Sequence, residues 1–316
     1  MNPLLQALFS SWEWRLEIVV LLLALALVYT TGWWRLRRKA NGRLATVPRL
    51  AAYCAALLIM AIALMSPIDV LGGQLFFMHM VQHLLTIMLA APLLWLASPF
   101  PISLWGLPRP VRRAVGGQFR PGAGTRRVLA LLTRPAFAWL LFLFVYLGWH
   151  DPNLYNLALR RAWVHDLEHI TFFLAAVLFW WHVVGAAPHI HGSLPEWGRI
   201  GYVLAALPPN MLAGVAIAFS SNVIYTYYES IPNIWGVTTL QDQMLGGVIM
   251  WIVGSMMYIL AALILMSNLL KRQGGPQPIA GWDADSAMVA PGLEHRVVQN
   301  KWRDVENSSE QIPDVS

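Results

Sequence analysis

The chain has 316 residues, 57% of them hydrophobic and 12% charged, with a mean hydropathy of +0.53. A soluble domain carries about twice that charged fraction, so the composition excludes an ordinary soluble enzyme and points to a polytopic membrane protein. The net charge of +6 is accounted for by topology rather than by nucleic-acid binding, and the single cysteine, Cys54, excludes an internal disulfide.

Seven apolar segments approach the roughly 20 residues a helix needs to cross the hydrocarbon core. They run over about 15–33, 49–66, 75–97, 135–150, 163–185, 200–219 and 243–268. Trp12, Trp14, Trp33 and Trp34 bracket the first, as interfacial aromatics do. The N-terminus lacks the basic stretch and cleavage site of a signal peptide, so this segment is expected to persist as a helix. Pro208-Pro209 is expected to kink the sixth segment. The stretch 98–134, with Pro99, Pro101, Pro108, Pro110 and Pro121, reads as a long basic loop lying along anionic headgroups. Residues 1–271 read as one seven-helix domain. Residues 272–316, polar and without a period, read as a disordered cytoplasmic tail.

Orientation follows from Lys and Arg. Arg35, Arg37, Arg38, Lys39, Arg43 and Arg49 cluster after the first segment. Arg109, Arg112, Arg113, Arg120, Arg126, Arg127 and Arg134 follow the third, Arg199 the fifth, and Lys271, Arg272, Arg296, Lys301 and Arg303 the last. Only Arg15, Arg160 and Arg161 fall on the other side. The positive-inside rule then predicts an outer N-terminus and a cytoplasmic C-terminus.

Histidine is the informative residue. His79 and His83 open the third segment, and His165 and His169 open the fifth. A spacing of four stacks two imidazoles on one helix face. Ionisable or metal-binding groups inside a membrane helix are costly without a partner and mark function by default. With a rise of 1.5 Å per residue, all four lie within roughly 12 Å of the predicted outer boundary. His150 ends the fourth segment and Asp242, between Gln241 and Gln243, opens the seventh, at the same level. Imidazoles suit copper, zinc and iron. Asp242 and Glu168 can ligate or orient a ring through its second N–H. Met78 and Met80 point away from the His79 face; Met244 lies nearer Asp242. A haem held by one histidine from each of two helices competes with a metal ion, but leaves the second histidine of each pair unexplained.

His182, His189 and His191 lie at the other end of the fifth segment, where His189-Ile190-His191 offers a loop pair, and His295 lies in the tail. The aromatic stretch 220–241 reads as a lid over the site, a docking face or part of the interfacial belt. No nucleophile stands with a base and no nucleotide-binding loop is present, so transfer rather than catalysis is predicted. A proton relay is disfavoured because the third and fifth segments turn apolar after His83 and His169.

Four stretches together resemble the CtaG family of cytochrome c oxidase assembly proteins, the type with several transmembrane helices. They are His79-Met80-Val81-Gln82-His83 with Ala91-Pro92-Leu93-Leu94; Trp149-His150-Asp151-Pro152 with Leu154-Tyr155; His165-Asp166-Leu167-Glu168-His169 with Leu178-Phe179-Trp180-Trp181; and Gln241-Asp242-Gln243 with Gly246-Gly247 and Met250-Trp251. The resemblance covers most of residues 50–268. It implies a bacterial plasma-membrane assembly factor that holds copper, as Cu(I), and helps load the oxidase, with oxidase subunits as partners. His79, His83, His165 and His169 would be the leading ligands, His150 and Asp242 the next, and Glu168 a supporting partner. A haem-handling protein and a metal-free scaffold for oxidase subunits are the alternatives. Cys54 cannot serve as in the cysteine-based copper chaperone that shares the family's name.

Overall fold

The computed structural model describes residues 11–39, 44–120, 122–190, 194–232 and 234–273. The tail, His191 and His295 lie outside the described residues. Every element among the described residues is helical. Residues through Leu269 form one compact unit. Of the remainder only the final turn of the last helix is described.

Six helices are long and apolar enough to cross a membrane: α1 (Leu16–Lys39), α2 (Val47–Met65), α4 (Phe76–Leu96), α10 (Ala162–Val184), the Glu196–Ala218 pair (α11, Glu196–Leu204, and α12, Leu207–Ala218) and α13 (Thr239–Lys271). The chain is a multi-pass membrane protein. The expected fourth span is shorter than a full crossing. Its helix α8 (Pro135–Trp149) reaches spanning length only together with α7 (Gly124–Leu132), from which it is bent by 56°. The stretch expected as a basic loop is itself largely helical: α5 (Pro99–Gly106), α6 (Arg109–Gln118) and α7. Prolines at the first turns of α5, α6 and α8 start these helices rather than forbid them. The expected kink at Pro208-Pro209 is instead a break at Ala205-Ala206, with both prolines in the first turn of α12. The short helices α3 (Pro67–Gly72) and α9 (Pro152–Arg160) cap the bundle between spans.

Hydrogen bonds between helix ends show which ends lie together. Arg15 forms a bidentate pair with Asp166, at 2.7 and 2.9 Å. The Glu13 amide donates to Met65 O, and the Phe76 amide donates to Asp242. The starts of α1, α4, α10 and α13 therefore share one end with the finish of α2. At the other end Arg35 donates to the carbonyls of Trp105 and Gly106, and Arg199 to those of Val183 and Val184. This second end carries Arg35, Arg37, Arg38 and Lys39 of α1, Arg112 beside Trp105, and Arg199.

One core joins α4, α8, α10, α12 and α13 through Phe76, Met80, Phe142, Phe179, Ile217 and Tyr258. A second joins α1, α2, α5 and the far half of α4 through Tyr29, Tyr53, Met60, Ala90 and Ile102. Tyr29 stacks on Tyr53 with ring centroids 3.7 Å apart and donates to Ala97 O. Helix α1 meets α5 backbone to backbone: a Cβ on Gly32 would collide with Ile102 O, and one on Gly106 with Val28 O. Small residues permit such close approach where lipid offers no hydrophobic drive. Gly106→Leu should therefore undock α5 from α1, and detergent-purified protein should unfold several degrees lower, the scale of about 1–3 kcal/mol for overpacking. An unchanged melting curve would show that α5 is not held there.

Both α4 and α13 contain a π-helical turn, Leu85–Ala90 and Ile249–Gly254. Such turns concentrate at functional sites. The wider pitch loosens backbone pairing, and side chains restore it. The Thr86 hydroxyl donates within reach of Gln82 O and His83 O. Asn210 donates to Met250 O at 3.0 Å and accepts from Tyr146. This interior polar group carried no assignment in the sequence.

Candidate metal centre

Helix α4 starts at Phe76, one turn before His79, and the start is set by Asp242. Its two carboxylate oxygens accept the Phe76 and Phe77 amides at 2.7 and 3.0 Å. A carboxylate capping two first-turn donors both satisfies them and complements the helix dipole. Asp242 is placed by its own helix, whose N-terminus carries a capping box between Thr238 and Gln241. Gly246 must lack a side chain, because a Cβ there would enter the Phe76 ring.

With the start of α4 held, His79 and His83 face α10. His79 is fully buried, and His83 and Glu168 nearly so. The four histidine rings pack against one another. Centroids are 4.4 Å apart for His79–His83 and His165–His169, 4.9 Å for His83–His169, and 5.4 and 5.8 Å from His79 to His165 and His169. Glu168 Oε1 lies 3.3 Å from His83 Nε2 and 3.6 Å from His79 Nε2. The Nε2 atoms of His165 and His169 are 3.1 Å apart. Two nitrogens each about 2.0 Å from one ion stand roughly 3.3–3.5 Å apart in tetrahedral or trigonal geometry. The observed separations of 3.1–3.6 Å bracket that range.

Donor atoms fall into two overlapping groups, His79 with His165 and His169, and His79 with His83 and Glu168, each with all atoms within 4.8 Å. Neither ring nitrogen of His79 or His83, and neither oxygen of Glu168, has a hydrogen bond of good geometry. Buried polar atoms are normally paired, and each orphan costs about 1–3 kcal/mol. Three of these atoms, His79 Nε2, His83 Nε2 and Glu168 Oε1, converge, which fits a cation better than it fits packing.

The other expected ligands are placed elsewhere. Asp242 is occupied as a cap and lies outside both groups. His150 also lies outside them, with Nδ1 2.6 Å from Tyr146 O and Phe172 against its ring. Met244 is exposed at 42%, and Met80 is buried in the main core. His182 Nε2 lies 2.9 Å from Thr133 O at the basic end. Glu168, expected as a supporting partner, stands among the donors.

Aromatic residues of 220–241 cover the site, which favours the lid among the expected readings. Tyr225 stacks on Phe76 at 4.6 Å and donates to His150 O. Tyr228 donates to Gly72 O and shares a hydrogen bond with Tyr155, whose ring packs 5.3 Å from His79. Burial pushes the Tyr225 hydroxyl above its usual range. Gln243 holds the lid by accepting from Ile224 N and donating to Asn222 O. Gln82, which carried no assignment in the sequence, donates to Ala63 O and to Asp69. Burial raises the Asp69 pKa and the Gln82 donor opposes the rise.

A family model described as cytochrome c oxidase caa3 assembly factor matches residues 27–272. Uncharacterized proteins of Mycobacterium bovis and Mycobacterium tuberculosis are each 29% identical over 283 residues, covering 85% of this chain and 41% of the relative. One of Mycobacterium leprae is 27% identical over 279 residues, with the same coverage. The chain thus spans about four-tenths of the length of the curated relatives it matches. No solved structure matches.

Proposed function

Because the chain belongs to the cytochrome c oxidase caa3 assembly factor family, we propose that its histidine–glutamate cluster holds copper, as Cu(I), in transit to the oxidase. The observation that carries the reading is the convergence of four imidazoles and one carboxylate from two separate helices, with His79, His83 and Glu168 buried and without a hydrogen bond of good geometry. Imidazole suits copper. The copper is cargo: the residues hold and release it, and no bond of another substrate is broken. The positive-inside rule assigns the basic end to the cytoplasm and the histidine end to the outer face of a bacterial plasma membrane. Oxidase subunits are the partners that would accept the ion there.

Haem is less well supported. A porphyrin between His79 and the α10 histidines needs a flat slot, whereas these rings and Tyr155 pack with centroids 4.4–5.8 Å apart. Detergent-purified protein supplied with Cu(I) should bind it, and His169→Ala should weaken binding by at least the ten- to hundredfold typical of losing a ligand's supporting partner. Elemental analysis with a competing chelator measures this. Unchanged metal content in the variant, or a Soret band lost with His169, overturns the copper reading. Normal oxidase assembly by a variant lacking all four histidines would leave a metal-free scaffold.

A further inference from the structure

We infer that the five donors form two successive positions for one ion, sharing His79, and that the ion reaches and leaves them through a cavity between α1, α2 and α10. The inference rests on the copper reading above. It starts from an asymmetry. A cavity of about 520 Å³ borders His165 and His169, while His79, His83 and Glu168 are not among the described residues that line it. On the other side of His83 lies a void of about 30 Å³ beside His150 and Tyr146, room for roughly one water. The three-imidazole position therefore faces a route, and the position made by His79, His83 and Glu168 is closed in.

The cavity is graded in polarity. Arg15, Glu17, Asp69 and Asp166 line its charged end, and Leu21, Leu25 and Phe173 its apolar depth. Carboxylates outnumber the one guanidinium, so the mouth favours a cation, and low-dielectric walls focus that field. The Arg15–Asp166 pair ties α1 to α10 across this mouth, one residue from His165.

His79 belongs to both groups, so an ion can change position without becoming free. Its bonds to His165 and His169 break as bonds to His83 and a Glu168 oxygen form, while His79 stays bound. Oxidation state and proton count are unchanged. The outer position is neutral and suits rapid exchange. The inner one adds an anionic oxygen and full burial, and suits retention.

Two kinds of variant test this, with Cu(I)-loaded protein and bathocuproine disulfonate as the acceptor. Leu21 is 55% exposed to the lipid side, so changing it spares the core. Leu21→Trp should fill the apolar part of the cavity below its charged mouth and slow copper loss by about tenfold at unchanged equilibrium affinity, and Leu21→Ala should speed it. Glu168→Gln should keep bound Cu(I) and speed its loss. Equal release rates in wild type and both Leu21 variants overturn the route. Equal or slower release from Glu168→Gln overturns the two positions. Wild-type protein that binds no Cu(I) overturns the copper reading itself, which is a separate failure.

Discussion

Replacing His79 should cost more copper affinity than replacing any other single histidine, well over the roughly hundredfold upper end seen for supporting residues. His79 is the donor common to both groups, so its loss leaves two ligands in each place. His150→Ala should stay near wild type, because that ring is held by Tyr146 O outside the cluster. Chelator competition on the purified variants makes the comparison. The metal-free proteins give a second, independent readout. His79 is fully buried with both nitrogens unpaired, an arrangement that costs about 1–3 kcal/mol per atom. His79→Leu removes those atoms at similar volume. It should therefore melt no lower than metal-free wild type while losing copper, the signature of a site that trades stability for function. A residue present for packing alone would give the opposite pair of results, lower melting and intact metal content.

The second large effect is expected at Asp242. Asp242→Ala leaves the Phe76 and Phe77 amides without their acceptor. Two charge-assisted bonds lost in a buried setting should cost about 2–4 kcal/mol, read as a lower unfolding midpoint in detergent. Asp242→Asn keeps an acceptor oxygen and should cost less. Copper content separates the two roles open to this carboxylate. If it caps α4, Asp242→Asn retains bound copper with modestly reduced affinity, since His79 lies one turn from the cap. If it ligates, the copper goes with it.

Much of this was legible in the residues. The six long spans appear within a few residues of where hydropathy put them, because crossing a bilayer demands a continuous apolar run whatever the neighbours are. Two pairs of histidines at a spacing of four must each share a helix face. Alternating helix direction then brings His79, His83, His165 and His169 to one end. Asp242 was legible as a residue at that level but not as a cap. Both roles place a carboxylate at a helix start, and only the neighbouring chain says which applies. The same holds for Glu168. Beside His169 in sequence it reads as a supporting group, yet the side chain meets His79 and His83 of another helix. The helices of 98–134 were obscured by prolines, which mark helix starts as readily as loops.

Composition, charge and spacing by themselves determined the class of protein, the span pattern and the imidazoles available at one level, since each depends on local covalent periodicity and on transfer from water to lipid. Tertiary packing alone decided that the two helix faces turn toward each other and that Asp242 holds the start of α4. It also decided that a cavity reaches His165 and His169 and not His83. Those outcomes depend on backbones approaching at Gly32, Gly106 and Gly246 and on side chains meeting across helices. A one-dimensional pattern fixes the face a residue occupies but not the neighbour that face will find.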